Sequence, residues 1–295
     1  MSTIGVARSR RRLALVAASV CAIAAVLPVA DLQGVRKAYA INSGNGILTA
    51  KGYDTCGNPN TAQLQAFWNA TPYWFVGLYL GGSNVGCSSS LQMSPDYVNY
   101  AVGLGYKVGF FWVGPQAPCN NLGLPAFSSD PGTAYNQGKQ ELINAWNTLI
   151  SSSNPGGAGV LNGANLTVVT YDLEDYCGSA TARAAAQSFI EGWDEQAQVS
   201  PPQVPGVYGS VCGSYLNDFA GLNSPPENIW GANWDGNPDT TVMVCIPSGN
   251  WIFHQRLKQY NGGHTEQWNG VSMSIDSDCS NGPLSPGPDS FATTC

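Results

Sequence analysis

The chain has 295 residues, nine cysteines and a formal net charge of −7, with only 11% charged residues. Residues 1–40 hold six of the 12 Lys and Arg but one of the 19 acids, so the remainder carries 6 basic and 18 acidic residues, a net charge of −12. That balance, with no basic stripe anywhere, excludes nucleic acid as a partner and any attraction to an anionic membrane surface.

The amino end reads as an export signal. Arg8, Arg10, Arg11 and Arg12 precede an apolar run from Leu13 to Ala30, and Ala38-Tyr39-Ala40 places small residues where a signal peptidase reads. Ser9-Arg10-Arg11-Arg12-Leu13 resembles a twin-arginine motif. The apolar run is about long enough to span a bilayer, so a retained anchor is the alternative. The small-x-small site favours cleavage and no stable membrane insertion afterwards. Residues 1–40 are therefore expected to be a signal peptide and 41–295 one exported domain. Cys21 leaves with the signal. The other eight cysteines, Cys56, Cys87, Cys119, Cys177, Cys212, Cys245, Cys279 and Cys295, read as disulfides in an oxidising compartment. None sits at Cys-x-x-Cys spacing and there are two histidines, so neither a zinc cluster nor any other metal or cofactor is expected.

After residue 40, strand-like and helix-like segments alternate. Expected strands are Gly52–Cys56, Trp74–Leu80, Lys107–Val113, Leu166–Asp172, Val204–Val211, Asn228–Asn233, Trp251–Gln255 and Val271–Ile275. Expected helices are Thr61–Ala70, one opened by Ser94-Pro95-Asp96, Tyr135–Ile150, Ser179–Gln198 and a short Gly213–Leu222. Serine before proline before an acid is the chemistry of a helix N-terminus. Asn281–Pro288 reads as a carboxy-terminal loop. Eight strands interleaved with helices in about 255 residues predict an α/β fold, a single (β/α)₈ TIM-type barrel with disulfide-stapled loops. Asn69-Ala70-Thr71 and Asn165-Leu166-Thr167 fit the glycosylation pattern and carry little weight here.

In such a barrel, functional side chains stand at the carboxy ends of strands. That rule gathers Asp54 from strand one, Asp172 and Glu174 (with Asp175 beside them) from strand four, and Asp276 and Asp278 from strand eight. Asp172 and Glu174 are two apart at the end of an apolar strand, so they share a face. Two carboxylates so close resist double ionisation, so one pKa should rise. A proton-bearing carboxyl group opposite an ionised one is what cleavage of a glycosidic bond needs. A solvated acidic turn is the plain alternative.

Gly52-Tyr53-Asp54-Thr55-Cys56, Tyr79-Leu80-Gly81-Gly82-Ser83, Asp172-Leu173-Glu174, His254-Gln255 and Ile275-Asp276-Ser277-Asp278 together resemble the bacterial secreted glycoside-hydrolase-like domains. These are distantly similar to the family 25 lysozymes. The resemblance spans nearly all of residues 50–280. It implies a barrel with an acidic site at its carboxy face, with Asp54, Asp172, Glu174 and Asp276 as the catalytic set. The lysozymes' strand-seven Trp-Gln-Tyr has its nearest counterpart here at Phe253-His254-Gln255.

Trp112, Tyr171, Tyr208, Trp230 and Trp234 lie near strand ends, where aromatic faces stack on sugar rings; core packing is the alternative for each. His254 and Gln255 join them as candidate substrate ligands. No Gly-x-Ser-x-Gly elbow supports serine catalysis. Asp276-x-Asp278-x-Ser280-Asn281-Gly282 lacks the glycine and glutamate of an EF-hand loop. Three readings follow: a secreted glycosidase acting on peptidoglycan or another polysaccharide, a wall-binding barrel without turnover, or a structural exported protein. A monomer is expected in each.

Overall fold

The computed structural model describes residues 45–86, 93–150, 167–199, 202–287 and 295. Residues 1–40, expected to be a signal peptide, Cys87 and Asn165 lie outside these residues. Eight strands close a barrel in sequence order. They are β1 (Gly46–Asp54), β2 (Tyr73–Gly81), β3 (Lys107–Trp112), β4 (Val168–Asp172), β5 (Val204–Ser210), β6 (Asn228–Ala232), β7 (Arg256–Trp268) and β8 (Val271–Leu284). Four helices, α1 (Thr61–Ala70), α2 (Pro95–Leu104), α3 (Pro131–Ile150) and α4 (Ala180–Ala197), pack outside the first half. Only a 3₁₀ turn, Leu216–Gly221, separates β5 from β6. Among the described residues no helix is long and apolar enough to cross a membrane.

The helix ends follow local chemistry. Asn60 and Gln63 form a reciprocal capping box at α1. Ser94 accepts from the Tyr97 amide at α2, with proline in the first turn. The third helix starts at Pro131, four residues before the expected Tyr135, because Asp130 caps it by accepting from the Thr133 amide at 2.9 Å. Helices α3 and α4 approach closely at glycines: a Cβ on Gly138 would lie 1.9 Å from the Phe189 carbonyl, and one on Gly192 2.1 Å from that of Tyr135.

Alternation along each strand sorts side chains into two cores. Leu48, Ala50, Phe75, Phe111, Trp230, Leu257 and Leu284 fill the barrel. Tyr53, Leu78, Phe110, Tyr171, Phe189 and Trp193 belong to the larger core between barrel and helices.

The last quarter departs from the expected pattern. Trp251–Gln255 is not strand seven but a series of turns, with Trp251 buried and its indole donating to the Pro226 carbonyl. The strand begins at Arg256 and is polar, so its periodicity does not look like a buried strand. Its outward residues meet a loop instead of a helix. Arg256 donates to the carbonyls of Thr241, Pro247 and Asn250. Lys258 reaches the Val242 carbonyl at 2.8 Å and the Asp235 carboxylate at 2.9 Å. Two buried cations thus do for residues 233–251 what an apolar helix face does elsewhere. β8 is longer than expected, takes in Asn281–Leu284, and runs antiparallel to both β7 and β1.

Two disulfides lace the loops at the carboxy end of the parallel strands. Cys119–Cys177 joins the segments after β3 and β4; Cys212–Cys245 joins those after β5 and β6. Cys56, just after β1, is also disulfide-bonded. Cys279–Cys295 differs from the expected placement: Cys279 lies inside β8 opposite Lys51, and ties the carboxy terminus to the barrel wall.

Candidate functional site

Asp54 is the last residue of β1, and β8 passes beside it with Asp276 directly opposite and Asp278 opposite Gly52, one layer deeper. Strands one and eight are neighbours as expected, but β8 descends where β1 rises. The β8 acids therefore sit midway along their strand, not at its carboxy end. Gly77 makes room for this arrangement: a Cβ there would lie 2.8 Å from that of Asp54.

The Asp54 carboxylate is buried. Its Oδ2 accepts from Gln259 Nε2 at 2.7 Å and its Oδ1 from the Tyr79 hydroxyl at 3.4 Å. Burial, then the charge of Asp276, pushes its pKa up to about 7, against the pull of hydrogen bonds from Gln259, Asp278 and Tyr79. Asp278 is also raised well above the ordinary carboxylate range by burial and by Asp54, while Trp230 Nε1 donates to its Oδ1 at 2.8 Å. Burial also raises Asp276; the Gly263 amide and His264 hold it down.

Across the mouth, β4 ends at Asp172, which is 3% exposed. Burial, then Glu174 and Asp54, raise its pKa. Its Oδ1 has no hydrogen-bond partner. Glu174 is half-buried, and its pKa is raised by burial and then by Asp175. Of the expected Asp-x-Glu pair, Glu174 raises Asp172, whereas Glu174 itself is raised by Asp175 and not by Asp172. Their backbone is pinned from two sides. Buried Gln116 donates to the Asp172 carbonyl at 2.9 Å and accepts from the Glu174 amide at 2.8 Å. The Leu173 amide donates to the Tyr208 carbonyl.

Of the seven proposed sugar contacts, two stand in the mouth. Tyr208 points inward from β5, and its hydroxyl donates to Gln259 Oε1 at 3.0 Å. Trp234, 66% exposed, lies over Gly262 and donates from Nε1 to the same Gln259 oxygen at 2.8 Å. Trp230 is inward but forms the floor, packed against Phe75 and Phe111 and 1% exposed. Trp112 and Tyr171 face the helices. Each follows or precedes an inward residue (Phe111, Asp172), so alternation turns it out; Trp112 Nε1 donates to Glu141 and the Tyr171 hydroxyl to the Pro115 carbonyl. His254 and Gln255 precede β7 and so lie at the opposite, amino end of the barrel. His254 contacts Asn281 there, and Gln255 donates to the Glu227 carbonyl.

Gln259 was absent from the sequence-derived set, yet it joins Asp54, Tyr208 and Trp234. Its signal was available: Gln259-Tyr260 supplies the Gln-Tyr sought at Phe253-His254-Gln255, five residues later. Gln116 had no comparable signal. Among the described residues no group of three or more His, Cys, Asp or Glu is arranged to hold a metal ion.

A closed barrel whose carboxy mouth is lined by acids on β1, β4 and β8 is a glycoside hydrolase-like barrel. The chain belongs to the family described as the Rv2525c-like, glycoside hydrolase-like domain, whose model matches residues 65–280. An uncharacterized B. stearothermophilus protein shares the fold at 17% identity and a TM-score of 0.52, covering 78% of this chain and 95% of its own. So does the spore cortex lytic enzyme SleM of Clostridium perfringens, at 12% identity and a TM-score of 0.50, covering 79% of this chain and 67% of its own. A family 25 glycosyl hydrolase from Bacillus anthracis is 13% identical with a TM-score of 0.45, covering 79% and 89%. No curated protein matches the chain.

Proposed function

We propose that this protein is an exported glycoside hydrolase that cleaves a glycosidic bond of peptidoglycan or another extracellular polysaccharide at the barrel mouth. The observation that carries this reading is the convergence of Asp172 and Glu174 with Asp54 and Asp276, four acids from three segments far apart in sequence. Packing carboxylates together opposes stability, and a catalytic site is the usual reason to keep such an arrangement. Glu174 retains its proton through burial and Asp175, which suits the general acid that protonates the leaving oxygen. Asp172, with one bare oxygen, stabilises positive charge developing at the anomeric carbon. Asp54, held by Gln259 and Tyr79, positions water or substrate. Tyr208 and Trp234 supply aromatic faces at the rim.

Export rests on the amino-terminal signal and on the disulfides, which form in oxidising compartments. The mature chain then begins near Ile41, which mass spectrometry of the exported protein reads directly. A wall polymer as substrate is in keeping with the fold shared with a spore cortex lytic enzyme. The test is incubation with purified peptidoglycan and a panel of polysaccharides, scoring new reducing ends. Glu174→Gln should lower turnover roughly 10²–10⁴-fold without loss of folding. No product on any substrate, with retained binding to one, would replace the hydrolase by a wall-binding barrel.

A further inference from the structure

Resting on the reading of the mouth as a sugar site, we propose that its polysaccharide carries free, protonated amino groups. A de-N-acetylated amino-sugar polymer should be taken in preference to its N-acetylated or anionic counterpart.

Three observations converge. The first is the placement of cations. Every Lys, Arg and His after residue 40 lies among the described residues, and none forms an ion pair with the four acids of the mouth. Lys51 is on the outward face of β1, and Lys107 donates to the Pro286 carbonyl. Lys139 pairs with Glu195 and Arg183 with Asp218 on the outer helices. Arg256 and Lys258 are buried under the 233–251 loop. His254 is at the other end of the barrel. His264, the one group whose charge reaches Asp276, is tied to Glu266 and Ser277 on the β7–β8 hairpin.

The second is the donor balance. The side-chain donors around the acids already serve the protein: Gln259 Nε2 and the Tyr79 hydroxyl go to Asp54, the Tyr208 hydroxyl and Trp234 Nε1 to Gln259, and Trp230 Nε1 to Asp278. The Gly263 amide goes to Asp276. An acetamide carbonyl entering here finds acceptors. An ammonium brings three donors and no acceptor.

The third is Asp172. It points inward from the end of β4, is 3% exposed, and leaves Oδ1 without a partner. An unpaired polar atom so placed is costly unless the ligand supplies its donor.

The chemistry of hydrolysis agrees. A positive group at carbon 2 opposes the positive charge developing at the adjacent anomeric carbon. Asp172, Asp54 and Asp276, once ionised, offset both charges at once, while Glu174 keeps its proton for the leaving oxygen; a uronic or phosphorylated sugar brings the same sign of charge as these acids. In the empty site, burial and neighbouring acids raise the pKa of Asp54, Asp172, Glu174 and Asp278. An arriving ammonium favours the ionised forms of the aspartates, so binding releases protons to solution.

The experiment is calorimetric titration of the exported protein with a glucosamine oligosaccharide and its N-acetylglucosamine counterpart. Each is run in two buffers of different ionisation heat, at low and high salt. The glucosamine oligomer should bind about tenfold tighter or better, the scale of one charged hydrogen bond. It alone should release protons, and the ratio should shrink in high salt. Asp172→Asn, checked for folding by circular dichroism, should reduce the ratio, and Glu174→Gln provides a second variant. Equal or tighter binding of the N-acetylated oligomer, or binding of the amine form without proton release, overturns the proposal. Scoring reducing ends on the same oligomers separates the two readings. Selective binding without cleavage would sink the hydrolase and leave the amine preference standing; cleavage without selectivity would do the reverse.

Discussion

Replacing Gln259 by leucine keeps the side chain's volume but removes every hydrogen bond it makes. Two neutral bonds, from the Tyr208 hydroxyl and Trp234 Nε1, lose their acceptor. Trp234 is exposed and turns to water, so these together should lower stability by about 1–2 kcal/mol at any pH. The third bond, Gln259 Nε2 to Asp54 Oδ2 at 2.7 Å, behaves differently because its acceptor titrates. Asp54 has a pKa of about 7 in the fold, above that of an unfolded carboxyl. Native stability therefore falls as pH rises from the ordinary carboxylate range to about 7, because the unfolded chain ionises first, and it levels off beyond. Without the Gln259 donor the folded pKa rises again, and the fall continues further up the scale. A rise of about one in pKa is worth roughly 1.4 kcal/mol. The difference between wild type and Gln259→Leu should thus be about 1–2 kcal/mol near pH 6 and roughly 1–2 kcal/mol larger near pH 9. Urea unfolding at the two pH values measures it. An equal difference at both would show that Asp54 does not depend on Gln259 for its charge, and the account of the mouth would fail.

Asp194 offers a second linkage test. It is fully buried on α4, neither oxygen has a partner, and burial followed by Glu227 and Glu191 raises its pKa. The wild type should therefore lose stability as pH climbs above the ordinary carboxylate range, and Asp194→Asn should be close to neutral near pH 5 but more stable by about 2 kcal/mol near pH 8; a constant offset in denaturant midpoints across that range would count against it. Lys258→Met removes a fully buried ammonium that holds Asp235 and the Val242 carbonyl, and should cost about 3 kcal/mol or more and open residues 233–251 to limited proteolysis. Unchanged melting and no new cleavage there would show that the loop does not depend on Lys258. Replacing Cys212 and Cys245 together by serine frees a span of 33 residues and should lower stability by about 3–4 kcal/mol, read as a drop in denaturant midpoint; an unaltered midpoint would contradict the loop-closure argument.

The sequence by itself determined the first half of this protein. Asn60-x-x-Gln63, Ser94-Pro95 and Ser179 mark helix starts through contacts within four residues, and β2, β3 and β4 are apolar because a helix layer covers them. Where burial partners are local or generic, composition and period suffice. It also singled out Asp54, Asp172 and Glu174, because two-residue alternation and the rule of strand ends are themselves local; Asp276 was reached by the same rule although β8 runs past it for eight more residues in the opposite direction to β1. Only the tertiary structure decided the rest. Strand β7 is polar because its outward Arg256 and Lys258 are satisfied by loop carbonyls up to 19 residues away in sequence, which no periodicity encodes. The descent of β8 is set by its hairpin with β7, and it brings Asp278 beside Asp54, whose charge raises its pKa, across more than 220 residues of sequence. The same alternation that exposed Asp172 and Glu174 also turns Trp112 and Tyr171 away from the mouth. Gln259 became visible only once β7 was in register, because its role consists of three partners that the folded chain alone assembles: Asp54, Tyr208 and Trp234.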